Sequence, residues 1–510
     1  MYTVSFGCRA GTVRIISDEV MNMKHNMKLI SLLLAALAVG STMLSCGDSS
    51  TGTADTTASV DTASATEAVT EEVAELAKLP EADYGGHVVN ILLNDQDDRF
   101  VDIMTDGEET GDVMNDIIYK RNRAVEEKYN VTIVGASDTY DAVNQMLKKE
   151  VQGGLTDYDF YFSNCFASAL ASGGFLYVLN DLPNVDLSNP WWDKAALEGM
   201  SVGGKVYLAT GDISPTSLLT SSCLVFNKKL FSDNDMEYPY EMAANGTWTI
   251  DKLVEMTKGL TRDVNGDGKY TLNDDIFGFS SWMCDSPYSL FYGAGGTLSE
   301  KDAEDIPYAS FDIENISDIY GKMYQLIVEQ ESYFVTSSAE YETTYECFSN
   351  GGAYFCEITL QKIDMFLRDM EDDYGILPIP KRDEAQEDYL SCVNGAGGFV
   401  VIPNNPENEQ RTGMLFEALA AGAYDTVTPS IYEVITKTKN VRDAESADMV
   451  NLIIRNRVYD PFYINLCSGY DALQKQLGAK KPEVASTVEK LLKAAEKAMQ
   501  KIVDAYAEAE

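Results

Sequence analysis

Between His87 and Asn164 the chain switches period four times, and that alternation limits the fold more than any other feature. HVVNILLN (87–94) is an apolar run of strand length. DVMNDIIYKRNRAVEEKYN (112–130) then sets Met114, Ile117, Ile118, Val125 and Tyr129 near helical spacing with charges between them. VTIVG reads as a β-branched strand, DAVNQMLKKEVQGG as a helix stopped by glycines, and DYDFYFSN (157–164) as another strand. The order β-α-β-α-β predicts an α/β fold on a mostly parallel sheet, with ligands beyond the carboxyl ends of its strands. Asp95, Gln96 and Asn164 fall at such ends. Taken singly, each suits a loop or helix-capping role equally well.

A second unit begins near Cys223. CLVFNKKLF reads as a strand entering a turn, and GTWTIDKLVEMTKGL as a helix with Thr249 as N-cap and Asp251 in its first turn. Trp248 and Leu253 occupy the two positions of a hydrophobic staple, a structural role for that tryptophan. GGAYFCEI and YGILPIP read as further strands of this unit, and GGFVVIP (397–403) as a strand returning to the first. From Arg411 onward the pattern is mostly helical. The last helix carries Val488, Leu491, Leu492, Ala495, Met499, Ile502 and Tyr506 on one stripe, a docking face. There is no internal repeat and no glycine-rich phosphate loop.

The segment before this body has a different character. Residues 29–39 are apolar except for Ser31, and Lys24 and Lys28 precede them. The run is half the roughly 20 residues a spanning helix needs, and it has the pattern of an export signal. STMLSCGDSS follows, with Cys46 between Ser45 and Gly47 as in a lipobox, although Met43 and Leu44 depart from the usual residues. An ordinary cleaved signal with an incidental cysteine is the alternative. The stretch after Cys46 has no aromatic or basic residue up to Ala77, and such a composition cannot bury enough apolar surface to fold. It reads as an acidic tether beginning at a lipid-bearing Cys46. The residues before Met21 fit none of this, so translation is expected to start between Met21 and Met27.

The body from Tyr84 is long enough for two or more full cores. A net charge of -42, from 81 acids against 39 bases, argues against nucleic acid and against an electrostatic hold on an anionic membrane. Histidine is more restrictive: the chain has two, His25 and His87. Metal centres with several imidazole ligands are excluded, and a His-dependent hydrolase would rest on His87 alone. Chemistry with two carboxylates survives. Seven cysteines beyond Cys46 lack CxxC spacing and are expected as buried thiols.

DVNGDGKYTLND (263–274) fits a calcium loop. Asp263, Asn265 and Asp267 alternate, Gly268 allows the turn, Lys269 offers a carbonyl, Thr271 holds the ninth position, and Asp274 replaces the usual twelfth-position Glu. A structural Ca2+ is expected; a metal-free Asn/Gly turn is the alternative.

TGDVMNDIIYKRNRAVEEKYNVTI, GGKVYLATGDIS, NGTWTIDKLVEMTKGLTRDVNGDGKY and RDAESADMVNLIIRNRVYD, in that order behind a tether, resemble the extracellular solute-binding proteins of ABC importers, the sugar-binding type 1 group. The resemblance implies a two-lobe periplasmic-binding-protein-like fold of type II, each lobe a mostly parallel sheet flanked by helices, with the ligand cleft between lobes. Residues 1–46 would be the signal region with lipobox, 47–83 the tether, 84–218 with 390–425 lobe 1, 219–389 lobe 2, and 426–510 C-terminal helices packing on both. The implied function is a monomeric, lipid-anchored receptor on the outer face of the cytoplasmic membrane. It would bind a sugar-like solute and deliver it to the transmembrane subunits of an ABC permease, without being an enzyme. Positions matching the family's cleft are Asp95, Gln96, Asn164, Asp212, Glu357 and Asn394, with Trp191, Trp192, Trp282 and Tyr292 as aromatic candidates. A sugar's apolar face and polar rim need both kinds of contact. Each position also has a packing or capping alternative. The competing functions are a secreted carbohydrate-active enzyme using paired carboxylates, or a surface adhesin with no small ligand.

Overall fold

The computed structural model describes residues 74–94, 102–272, 274–395, 397–436 and 444–508. The signal, Cys46, most of the tether, Asp95 and Gln96 lie outside the described residues. No helix among the described residues is long and apolar enough to cross a membrane.

Lobe 1 is built from the alternation that opens the body. Strand β1 (His87–Asn94), helix α1 (Val113–Tyr129), strand β2 (Val131–Asp138), helix α2 (Tyr140–Gly153) and strand β3 (Phe160–Ser163) follow in order. Both β2 and β3 pair with β1 in parallel, with Ile91 beside Gly135 on one side and Phe160 on the other. Ile91 and Leu93 on one face of β1 are fully buried and Leu92 on the other is buried too, as a strand covered on both faces requires. Asp112 caps α1 by accepting from the amides of Met114 (3.0 Å) and Asn115 (3.1 Å). The helix ends at Asn130, which takes the left-handed conformation at φ 49°.

The chain then leaves for lobe 2. That sheet contains strand β4 (Ser222–Asn227), strand β5 (Phe277–Trp282), strand β6 (Tyr333–Val335), strand β7 (Ala353–Thr359) and strand β8 (Tyr374–Leu377), ordered β8-β4-β7-β5-β6. Here β5 runs parallel to β6 and β7, whereas β4 is antiparallel to β7 and β8. The sheet is therefore mixed, less parallel than that of lobe 1. Trp248 is fully buried beneath it, with its indole N–H on the Pro378 carbonyl (3.0 Å), and Thr249 caps the following helix through the Lys252 amide. The expected staple helix is thus present, and its tryptophan is structural.

Strand β9 (Phe399–Val401) returns to lobe 1 and pairs antiparallel with β3, completing the order β9-β3-β1-β2. Helix α3 (Glu409–Tyr424) covers that sheet, and helices α4 (Val427–Thr436) and α5 (Ala444–Arg455) join one hydrophobic cluster with residues of α1 and of β4, β7 and β8. The last helix, α6 (Ala485–Glu508), buries Val488, Ala495, Met499 and Tyr506, members of the stripe read from the sequence. Its first part enters the lobe 2 core and Tyr506 the lobe 1 core.

Candidate functional site

The carboxyl ends of β5 and β7 lie side by side, because the two strands pair in parallel with Ser280 beside Cys356. Trp282 ends β5, and Glu357 stands near the end of β7. The stretch that follows β5 turns at once into a helix (Ser286–Gly293), which brings Asp285, Ser286 and Ser289 over the same strand ends. Ser286 Oγ donates to Glu357 Oε2 (2.8 Å) and accepts from the Trp282 amide (3.2 Å). Lys362 donates to Asp285 Oδ2 (2.5 Å) and to the Tyr345 hydroxyl (2.9 Å). Its ammonium also lies over the rings of Trp282, Tyr341 and Tyr345, at 5.1, 6.0 and 5.1 Å from their centroids.

The crossing segments bring lobe 1 to this group. Ser221 and Val393 bridge the outgoing and returning chains, and the Asn394 amide donates to the Thr220 carbonyl (3.1 Å). Asn394 Nδ2 then donates to Asp285 Oδ1 (2.8 Å), while the Cys165 amide, just past β3, donates to the Gly395 carbonyl (3.2 Å). Asn164 is buried beside that contact, its side chain capping the turn through the Phe166 amide (3.1 Å). The strand ends of both sheets thus meet at one crossing point.

Hydrogen bonding at this point is incomplete. Ser281 Oγ, Trp282 Nε1 and Glu357 Oε1 are buried without a hydrogen-bond partner. Each such atom costs about 1–3 kcal/mol unless something fills it. Glu357 is fully buried, and desolvation together with the adjacent Asp285 pushes its carboxyl up to about 7. At neutral pH the group offers a donor N–H, a hydroxyl of either polarity and a carboxyl near its midpoint. That set matches a hydroxyl-bearing solute.

Of the sequence candidates, Trp282, Glu357 and Asn394 come together, with Asn164 alongside. Four do not. Trp191 and Trp192 are 4% and 2% exposed in the lobe 1 core, and their indole N–H groups donate to Glu417 Oε1 and Oε2 (3.2 Å each). Asn189 Nδ2 also donates to that carboxylate (2.6 Å). Both rings are buried, Trp192 against Phe416 and Trp191 beside Tyr424. Tyr292 is buried against Phe291 and Tyr463, one layer behind the site. Asp212 accepts from Thr428 in the lobe 1 crossing region, and burial pushes it up to about 7. Asp285, Lys362, Tyr341 and Tyr345 were not singled out from sequence. Only Asp285 carried a signal there, since Asp-Ser-Pro after a strand marks a helix start.

The 263–274 loop curls on its own side chains. Asp263 accepts from the amides of Gly266 (2.6 Å) and Gly268 (2.7 Å), Asn265 from Asp267 (2.9 Å), and Asp267 from Lys269 (2.8 Å). Thr271 Oγ1 donates to Asp274 Oδ2 (3.2 Å). Asp275, one residue past the expected closing ligand, is the buried member and holds the loop through the Val264 and Thr271 amides. The donors are all oxygens, as a hard cation requires. Among the described residues, however, no three Asp, Glu, Cys or His side chains converge as a metal site. Six of the seven cysteines beyond Cys46, including Cys356 and Cys392, are free and buried, as expected.

Residues 106–410 match the family model described as bacterial extracellular solute-binding protein, more than half of the chain. The chain belongs to that family. No curated protein matches it. Solved structures share the two-lobe fold at low identity. One is an ABC transporter solute-binding protein from Thermotoga lettingae bound with α-D-tagatose, at 15% identity, covering 82% of this chain and 100% of its own, with TM-score 0.52. Another is the cyclic α-maltosyl-1,6-maltose binding protein of Arthrobacter globiformis, at 14%, 82% and 99%, TM-score 0.54. A third is an ABC substrate-binding protein from Listeria monocytogenes in complex with cycloalternan, at 14%, 83% and 99%, TM-score 0.51.

The buried carboxyls make stability depend on pH in a definite direction. Asp212, Glu357 and Glu417 are each pushed up to about 7, chiefly by burial, whereas in the unfolded chain they titrate near ~4. The folded state therefore keeps protons that the unfolded chain releases, and stability is lost as pH rises through about 7. The melting temperature is expected to be higher at pH 5 than at pH 8, with a smaller difference in Glu357→Gln. A melting temperature that climbs from pH 5 to pH 8 would contradict this.

Proposed function

We propose that this member of the extracellular solute-binding family is a monomeric receptor for an oligosaccharide or similar neutral, hydroxyl-rich solute. It delivers that solute to the transmembrane subunits of an ABC permease. The reading rests on one observation: three buried, unpartnered polar atoms, Ser281 Oγ, Trp282 Nε1 and Glu357 Oε1, on the adjacent ends of β5 and β7 beside the crossing segments. Trp282 and Tyr341 add ring surface beside them, their centroids 5.2 Å apart. The sugars named for the Thermotoga, Arthrobacter and Listeria structures belong to the same chemical class. A glycosidase reading would need Asp285 and Glu357 as a catalytic pair. Asp285 is instead committed to Lys362 and Asn394, and the family match is to binding proteins.

A thermal-shift screen against mono- and oligosaccharides tests the solute. A ligand at 100 times Kd adds about 2.7 kcal/mol to the stability of the folded state. Trp282→Ala and Glu357→Ala are each expected to weaken a hit at least tenfold, roughly 1.4 kcal/mol. A flat panel, or a hit indifferent to both substitutions, overturns the sugar reading at this site.

Cys46 is proposed as the lipid anchor, supported by the apolar run before it and the acidic tether after it. Labelled fatty acid should enter the exported protein and be lost in Cys46→Ala; unlabelled wild type would refute the anchor. The 263–274 loop is proposed to take a structural Ca2+ on Asp263, Asn265, Asp267, the Lys269 carbonyl and Asp274, with Thr271 at the ninth position. Its all-oxygen donor set supports this. Calcium is then expected to raise the melting temperature of wild type relative to chelator, but not that of Asp263→Ala. Equal melting with and without calcium in wild type removes the site.

A further inference from the structure

Away from the solute group, two elements rooted in lobe 2 grip lobe 1. The first is a hairpin whose strands, Ser299–Lys301 and Pro307–Ala309, pair antiparallel. Its base is Leu298, buried in the lobe 2 core, and helix α6 packs along its second strand. On the lobe 1 side its tip meets backbone groups and the Ser201 hydroxyl. The Gly203 amide donates to the Asp305 carbonyl (3.0 Å) and the Gly204 amide to Asp305 Oδ2 (2.9 Å). Gly203 and Gly204 both have positive φ, 60° and 75°, so that two successive amides face one acidic residue.

Lys301 completes the tip. It donates to the Ser201 carbonyl (2.7 Å), to Ser201 Oγ (3.0 Å) and to the Glu198 carbonyl. These groups end the lobe 1 helix Lys194–Met200, whose C-terminal carbonyls favour a cation. Asp305 Oδ1 holds the same ammonium at 2.9 Å. The second element is α6 itself. Val488, Ala495 and Met499 sit in the lobe 2 core, whereas Tyr506, two turns later, sits in the lobe 1 core edge-on to Tyr207 at 5.1 Å. Neither element contains a residue of the solute group.

We propose that the Ser299–Ala309 hairpin and the end of α6 form a strap that clamps lobe 1 onto lobe 2 and sets the receptor's open-to-closed balance. A change in the angle between the lobes must alter the contacts of Lys301 with the helix end, of Asp305 with the two glycines, and of Tyr506 with Tyr207. The strap therefore tunes affinity for any solute from a distance, since opening competes with binding.

The test needs no solute. Spin labels on Lys149→Cys in lobe 1 and Lys258→Cys in lobe 2, both exposed, report the interlobe distance of the full chain by pulsed electron resonance. Lys301→Met combined with Asp305→Gly, which suits the φ of 62° at that residue, is expected to raise the longer-distance population about tenfold. Tyr506→Ala is expected to shift it in the same direction, and Lys301→Arg to keep the wild-type distribution. Should Tyr506→Ala fail to fold, the hairpin variants, which remove no core side chain, still decide. Distributions in the hairpin variants that coincide with wild type, or a Lys301→Arg shift equal to that of the double variant, would overturn the strap.

Discussion

Lobe 1 cannot complete its sheet until the chain has passed through the whole of lobe 2, because β9 must return from residue 399 to pair with β3. Two crossing segments follow from that one pairing, and each is held to the other by the Ser221–Val393 bridge and the Asn394–Thr220 hydrogen bond. The carboxyl ends of both sheets are consequently brought to the same place. Parallel strands put their ligand-facing ends on one side of a sheet. Joining two such sheets at those ends produces a site between them without any residue being dedicated to alignment.

The contacts behind that site are less economical in sequence but equally definite. Arg457 donates through Nε (2.9 Å) and Nη2 (2.7 Å) to Asp193 Oδ2, and Tyr459 donates to the same oxygen (2.8 Å). Asp460, the next residue, accepts from the Leu298 amide (2.9 Å) and Ser299 Oγ (2.6 Å) of lobe 2. Four consecutive residues thus hold both lobes, and Arg457–Val458 also pairs with Ser391–Cys392 of the returning segment. Removing one member of such a buried set leaves the other charge unpaired, which costs more than the pair contributes. Gly199 shows how close the fit is: a Cβ there would stand 2.7 Å from the Tyr459 carbonyl oxygen.

The elements were legible in the sequence where period and caps agreed. The β1–α1–β2–α2–β3 alternation, the Trp248 staple and the α6 stripe rest on local spacing, and local spacing survives folding. The site was legible only in part. Trp282, Glu357 and Asn394 could be placed because each follows or ends a strand, and strand ends converge. Trp191 and Trp192 could not be placed by composition, which cannot tell an exposed ring from a buried one; their hydrogen-bond partner, Glu417, lies more than two hundred residues away on α3. Lys362 had no local signal at all, since its role arises from a pairing with Asp285 that only the tertiary fold creates.

Glu417 and Glu357 contrast a carboxyl satisfied within one lobe with one at the candidate site. Both are buried, and burial pushes both up to about 7. A shifted carboxyl alone therefore identifies nothing. Their partners differ, although an orphaned oxygen does not by itself mark a ligand site, since Glu150, whose Oε2 accepts from Tyr161, also has an unpartnered Oε1. Glu417 accepts from Asn189, Trp191 and Trp192, so both oxygens are satisfied within lobe 1. Glu357 accepts from Ser286 on one oxygen, and its other oxygen has no well-formed hydrogen bond, although the Ser289 hydroxyl lies close enough to steady its charge. A core that tolerates an unsatisfied buried oxygen loses stability by doing so. Under the proposed function, a solute hydroxyl that supplies the missing hydrogen bond recovers that loss on binding.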